Sequence, residues 1–308
     1  MIGIQDGVLR KYIGSEEKII IPDGVTKIDS LAFGRYSTGK EENPCPNLKE
    51  VVLPETVREI SDDAFCHCET LEKINLPHRL KKIGDSAFHW CRSLEEIIIP
   101  DGISEIPAFA FAGCYSLKRI HIPESVKHIG LQAFHGCHPE KLIIPEKITN
   151  LSPDVCGGKG YRANIAEVSY QNIQFSARQS DDVKYGIDIY SCIKLINEHD
   201  ISVQIPSPEK EYIIFQLYCK YPDDKEFIRF LKEKFISKFR VLIDRNKPEI
   251  VRQLLENGKF ITKNNINSCL FYSAEHNTPE ITLLLTDYKY RHFGYEDIET
   301  IISRKFAL

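Results

Sequence analysis

The chain has 308 residues, 42% of them hydrophobic and 27% charged. That is enough apolar side chain for a sizeable core and for two domains of roughly 100–200 residues each, and it excludes wholesale disorder. A net charge of −4 and a pI near 6.2 exclude the clustered surplus of Lys and Arg that marks a general nucleic-acid or anionic-membrane binder.

Ile2 to Tyr12 comes first, with Asp6-Gly7 between two apolar-bearing segments. This is a two-residue hairpin signal, and residues 1–14 are read as a cap. Met1 to Arg10 has neither a basic start nor a long apolar run, so no secretory signal is read. No apolar stretch approaches the ~20 residues that cross a bilayer. The expected location is cytoplasmic.

The chain then repeats itself. The stretch Leu94 to Cys114 (LEEIIIPDGISEIPAFAFAGC) has copies beginning at Leu48, Leu71 and Leu117, each 23 residues from the next. A proline ends the apolar triplet at Pro22, Pro54, Pro77, Pro100, Pro123 and Pro145. An Ala-Phe pair recurs at Phe33, Phe65, Phe88, Phe111 and Phe134, and cysteine at Cys45, Cys68, Cys91, Cys114 and Cys137. The first interval carries nine extra residues, Tyr36 to Pro44, read as an added contact loop.

Within a copy, Ile97 and Ile99 flank Ile98 with the period of a short strand, two inward and one outward. Pro100 ends that strand, and Ala110-Phe111 fill the returning side. One copy cannot bury its apolar face, but stacked copies bury a continuous one, which is a solenoid. Six turns at about 4.8 Å make a parallel sheet roughly 30 Å long.

The outward row of that sheet is Ile20, Val52, Asn75, Ile98, His121 and Ile143. Solvent-facing sheet positions are normally polar, so its aliphatic members argue for something lying against it, a partner or the chain's own C-terminal helices. Glu50, Lys73, Glu96, Arg119 and Lys141 rim the row with both signs of charge. These residues, Val52, Asn75, Ile98, His121 and Ile143 with that rim, are the expected partner-binding set.

The L-x-x-I-x-I-P-x-x-V-x-x-I pattern followed by Ala-Phe-x-x-Cys resembles the BspA-like, or Treponema-type, leucine-rich repeat over about residues 16–156. It departs from the commoner leucine-rich pattern, which has Asn or Cys a few residues after the strand, where this chain has Thr56, Arg79, Gly102 and Ser125. The resemblance implies an α/β solenoid, a right-handed leucine-rich-repeat coil with a parallel β-sheet, over 1–157. It also implies protein recognition through a concave face. Some members are surface or secreted adhesion proteins, which is the alternative function and location.

After Cys156, Gly157, Gly158 and Gly160 the pattern decays. Gly157-Gly158-Lys159-Gly160 lacks the spacing of a phosphate loop and reads as linker. Ile165, Val168 and Tyr170 are spaced for a seventh, imperfect strand to about 175, and 158–205 is a mixed junction. An all-α domain is expected over 206–308. Phe227, Leu231, Phe235 and Phe239 predict one long amphipathic helix after Asp223-Asp224. Pro248 to Gly258 has Pro at the first turn and Gly beyond the end, and Thr278-Pro279 opens a similar helix 31 residues after Pro248. Together with a preceding helix over Asn267 to Asn277, this resembles a degenerate ankyrin repeat, a second protein-recognition architecture.

The ladder cysteines read as small buried hydrophobes. A sharper alternative is zinc at Cys66, His89 and His135, but Ala112 interrupts that column, and zinc wants three or four converging ligands. No G-x-S-x-G, H-E-x-x-H or G-x-x-x-x-G-K-[ST] motif occurs, so no enzyme, cofactor or metal is expected. The expected function is a non-enzymatic protein-interaction scaffold with a protein partner, binding no nucleic acid and inserting in no membrane.

Overall fold

The computed structural model describes residues 1–35, 44–152, 155–156, 164–178 and 189–294. Most of the inserted segment Tyr36 to Pro44 and the glycine-rich 157–160 lie outside the described residues. The chain forms two compact units, one of residues 1–198 and 203–205 and one of 199–202 and 206–308.

In the first unit, β1 (Ile2–Gln5) and β2 (Val8–Tyr12) pair antiparallel with Gln5 opposite Val8. Asp6 and Gly7 between them have φ of 51° and 74°, the two left-handed positions of a tight hairpin turn. The solenoid follows. Each turn supplies two short strands, set in two columns. The first column is β3 (Lys18–Ile20), β5 (Glu50–Val52), β7 (Lys73–Ile74), β9 (Glu96–Ile98), β11 (Arg119–His121) and β13 (Lys141–Ile143). The second is β4 (Lys27–Ile28), β6 (Glu59–Ile60), β8 (Lys82–Ile83), β10 (Glu105–Ile106), β12 (His128–Ile129) and β14 (Asn150–Leu151). Neighbouring turns pair in parallel, with Ile28 opposite Ile60 and Ile60 opposite Ile83, except between β7 and β9 and between β8 and β10, where the ladders are interrupted.

A third wall is made by the Ala-Phe segments. Phe65 N donates to Ala87 O at 2.8 Å, Phe88 N to Ala110 O at 2.8 Å and Phe111 N to Ala133 O at 2.9 Å. The phenyl rings stack down the interior with centroids 4.8, 5.2, 5.2 and 5.6 Å apart from Phe33 to Phe134. Tyr12 of the cap continues the column, 5.3 Å from Phe33. The ladder thiols are buried as expected, and they also do something sulfur hydrophobicity does not require. Cys91, Cys114 and Cys137 donate to the carbonyls of Phe65, Phe88 and Phe111 at 3.1–3.2 Å, tying each turn to the one before.

A hairpin covers the edge of one column at each end. At the start β2 pairs with β4, Val8 opposite Lys27 and Leu9 opposite Ile28, covering the edge of the second column. At the far end β15 (Asn164–Tyr170) pairs parallel with β13, Leu142 opposite Val168, and is the seventh strand of the first column. It then turns back into β16 (Ile173–Arg178). Helix α1 (Ile189–Glu198) follows, held to the hairpin by Tyr170 Oη donating to Asn197 Oδ1 at 3.0 Å.

The second unit contains α2 (Glu209–Lys220), α3 (Lys225–Lys232), α4 (Phe235–Asp244), α5 (Pro248–Asn257), α6 (Ile266–Glu275) and α7 (Pro279–Phe293). The single long helix expected through Phe227 to Phe239 is in fact two. Glu233 is extended and Lys234 is left-handed at φ 50°. The break lets Phe235 stack on Phe260 at 5.3 Å, and the Lys238 ammonium turns back to the Phe230 carbonyl near the end of α3. Asp224 caps α3, accepting from the amides of Glu226 and Phe227, which satisfies donors that have no partner inside the helix. Helices α5 and α7 each begin with Pro, and Gly258 closes α5 at φ 62°. Helix α4 packs on α6 and α5 on α7.

Candidate functional site

Strand alternation sends the middle residue of each first-column strand inward and its flanks to solvent. Ile20, Ile98 and Ile143 are 67%, 59% and 51% exposed. Asn75 and His121 are exposed and Val52 is half-buried. Asn75 is not free to present its amide. Its Oδ1 accepts from Leu53 N at 2.7 Å and its Nδ2 donates to Leu53 O at 2.9 Å. In other turns that amide reaches a main-chain oxygen, as Ile21 N does to Val52 O at 2.9 Å. Asn75 therefore completes the wall with its side chain.

The charged rim is a cross-strand ladder. Glu50 pairs with Lys18 at 2.7 Å, Glu96 with Arg119 at 3.2 Å and Lys141 with Glu167 at 2.7 Å, while Lys73 stands opposite Glu50 in register. Lys18 and Glu167 belong to this row and were not singled out from the sequence, because each lies outside the cleanly repeating copies. Such exposed pairs set register and orientation more than stability.

A shallow depression of ≈ 510 Å³ lies on this face. It brings together Glu50, Val52, Lys73, Asn75, Glu96, Ile98 and Arg119 from four adjacent strands, and leaves His121, Lys141 and Ile143 outside. Its lining adds Glu55, Glu72, Glu95 and His78, which sequence reasoning passed over. The floor is aliphatic, with five carboxylates against the two cations Lys73 and Arg119. The signal was present in the repeat: the position before the strand is Glu72 in one copy and Glu95 in the next.

The zinc alternative fares differently. Cys66 Sγ and His89 Nδ1 come within 3.9 Å, but Ala112 fills the next step of the column. Among the described residues no group of three or more His, Cys, Asp or Glu side chains is arranged to hold a metal ion. The neighbouring register, His67, Trp90 and Gly113, gives this corner an aromatic character. His67 and His89 are 6.0 Å apart, and Trp90 stacks on His67 at 5.5 Å. Arg92 lies over the indole at 4.5 Å, and the glycine at the next step, Gly113, leaves room for it.

Burial, then the neighbouring His67 and His135, push His89 down to about 4, and burial also lowers His67. A histidine whose folded value lies below its ordinary value is held neutral, so the unfolded chain takes up the proton first as pH falls. The contribution of this site to stability is therefore complete above about 6.5, declines between about 6.5 and 4, and levels below. The expected loss is on the order of 1–2 kcal/mol, because a partly open site screens some of the effect. Urea unfolding of the native chain and of His89→Gln across this window checks it, and the variant should show a flatter dependence.

A wall of parallel strands in two columns, built from 23-residue turns around stacked phenylalanines, defines a leucine-rich-repeat solenoid. Residues 42–157 match the BspA type leucine rich repeat region in six copies, and this segment belongs to that family. The chain is similar to a leucine rich cell surface protein of Faecalibacterium prausnitzii, with 26% identity over 59% of this chain and 54% of that one, at a TM-score of 0.40. It is similar to the leucine rich repeat protein of T. pallidum, with 28% identity over 49% of this chain and 78% of that one, at a TM-score of 0.40. For the pneumococcal vaccine antigen PcpA the identity is 21%, over 62% of this chain and 51% of that one, at a TM-score of 0.42. The chain thus spans about half the length of the Faecalibacterium and pneumococcal proteins. No curated protein matches it. Among the described residues no helix is long and apolar enough to cross a membrane.

Proposed function

We propose that this protein is a non-enzymatic interaction module that binds a partner protein through the first strand column. The observation that carries the reading is the depression on that face, with Ile98, 59% exposed, in its lining. An exposed aliphatic side chain ringed by charges is the anatomy of an anchor position, where apolar burial supplies affinity and the rim sets orientation and on-rate. The carboxylate excess selects a partner segment that offers an apolar side chain flanked by Lys or Arg, and it disfavours nucleic acid, whose phosphates it would repel. The second unit supports a further docking surface. Its stacked helix pairs, with Pro248 and Pro279 opening equivalent helices, fit the ankyrin-like reading.

Affinity capture from lysate of the source cell tests the strand face, using the native chain, Ile98→Glu and Ile143→Lys, after circular dichroism shows all three folded. A partner held by the native chain and by Ile143→Lys, and weakened at least about tenfold by Ile98→Glu, is the expected result. Equal capture by all three would remove the depression as the binding surface.

A further inference from the structure

The cysteine ladder begins irregularly. From Cys68 onward each thiol points to the carbonyl of the Phe one turn before it. Cys68 keeps that register, with Sγ 3.4 Å from Phe33 O. Cys45 has no Phe one turn earlier, because the cap stands there with Tyr12 in its place. Its thiol turns to the same oxygen, Phe33 O, at 3.2 Å. Two thiols from adjacent turns thus converge on one acceptor, and their sulfurs are 4.0 Å apart. Adjacent turns of a parallel stack are spaced about 4.8 Å, inside the Cα separation of about 4.4–6.8 Å that a disulfide requires.

We propose that Cys45 and Cys68 are a dithiol modification site, oxidised to a disulfide by hydrogen peroxide. Cys45 is the attacking thiol. It is itself buried, and the chain reaches the surface directly after it at the exposed Pro46 and Asn47. The hydrogen bond with Cys68, assisted by the Arg35 guanidinium, lowers the Cys45 thiol against the opposing effect of burial, while Cys68 is raised. The Arg35 charge is shared with Glu69, 3.2 Å away.

In the first step Cys45 Sγ, as thiolate, attacks one oxygen of the peroxide. The S–O bond forms, the O–O bond breaks, and hydroxide leaves and is protonated to water. In the second step Cys68 Sγ attacks the sulfenic sulfur of Cys45. The S–S bond forms, the S–O bond breaks, and the departing oxygen leaves as a second water carrying the Cys68 proton. Two thiols lose two electrons and one peroxide becomes two waters. The product ties the turn that carries Cys45 to the turn that carries Cys68, 23 residues later in the chain.

The test is hydrogen peroxide treatment of the folded full chain, followed by peptide mapping without reduction and by thermal unfolding. The expected result is a Cys45–Cys68 linked peptide pair lighter by about 2 Da. A melting temperature higher than that of the dithiothreitol-treated protein should accompany it, with dithiothreitol reversing both. Cys45→Ser, folded by circular dichroism, should lose the link and the shift, and Cys114→Ser should keep both. A link between other ladder cysteines, oxidation of Cys45 to sulfinic acid with Cys68 still a free thiol, or both thiols intact in the treated folded chain would each overturn the proposal.

Discussion

Replacing Phe88 with Ala is expected to cost the solenoid about 3–5 kcal/mol, and more than the same change at Phe134. Phe88 is fully buried, and its ring is stacked on Phe65 and on Phe111 with centroids 5.2 Å away on each side and planes within a few degrees of parallel. Deleting it opens a cavity in the middle of a ring column that the Ala87 and Ala110 backbones cannot close, because those backbones are pinned by the third-wall hydrogen bonds. It also removes two ring contacts, each worth about 0.5–1.5 kcal/mol beyond area burial. Phe134 has a ring neighbour at Phe111, 5.6 Å away, and its amide donates to Val155 O rather than to another Ala of the repeat. Urea unfolding with an unchanged slope reads the difference. Equal losses at the two positions would mean that the column does not act as a nearest-neighbour stack.

The second large effect lies in the helical unit. Glu209, only 3% exposed, stands at the start of α2 and accepts from the Arg245 guanidinium, which also lies 4.4 Å over the Tyr212 ring. Glu209 is buried and Arg245 half-buried, so the guanidinium offsets desolvation that falls mainly on the carboxylate, and removing it leaves that carboxylate less well compensated. Arg245→Met is therefore expected to destabilise this unit by about 2–3 kcal/mol, below the range for a fully buried pair. The double variant Glu209→Gln, Arg245→Met should recover much of that loss, because the buried carboxylate is then neutral. A double variant as unstable as the single one would show that packing of the guanidinium on Tyr212, rather than charge, holds the pair together.

The repeat region was legible because every turn asks the same of the same position. The Phe must stack, the Ala beside it must let the third wall close, and the residue flanking the strand triplet must face inward, so the demands are written several times over. The helical unit shows the limit of such reading. Phe227, Leu231, Phe235 and Phe239 are all buried, as their four-residue spacing implies, but the backbone between them breaks at Lys234. The spacing reports which side faces the core, and two short helices that restart in phase satisfy it as well as one long helix does. The site was legible in the same partial way. Ile98 was placed outward by alternation alone, whereas the turn of the Asn75 amide onto Leu53 depends on a backbone group in the adjacent turn, 22 residues away. The carboxylates of Glu72 and Glu95 look like an ordinary solvated face until the strands set them beside Glu50 and Glu96.

The two terminal hairpins seal different columns, β2 against β4 at one end and β15 against β13 at the other. Each recognises only the edge of the turn next to it, and nothing in either depends on how many turns lie between. Duplication or loss of a whole 23-residue unit from the middle therefore leaves both seals intact. Such a change lengthens or shortens the strand face by one step of about 4.8 Å, so the reach of the face can drift over generations in whole increments while each hairpin keeps its own seal.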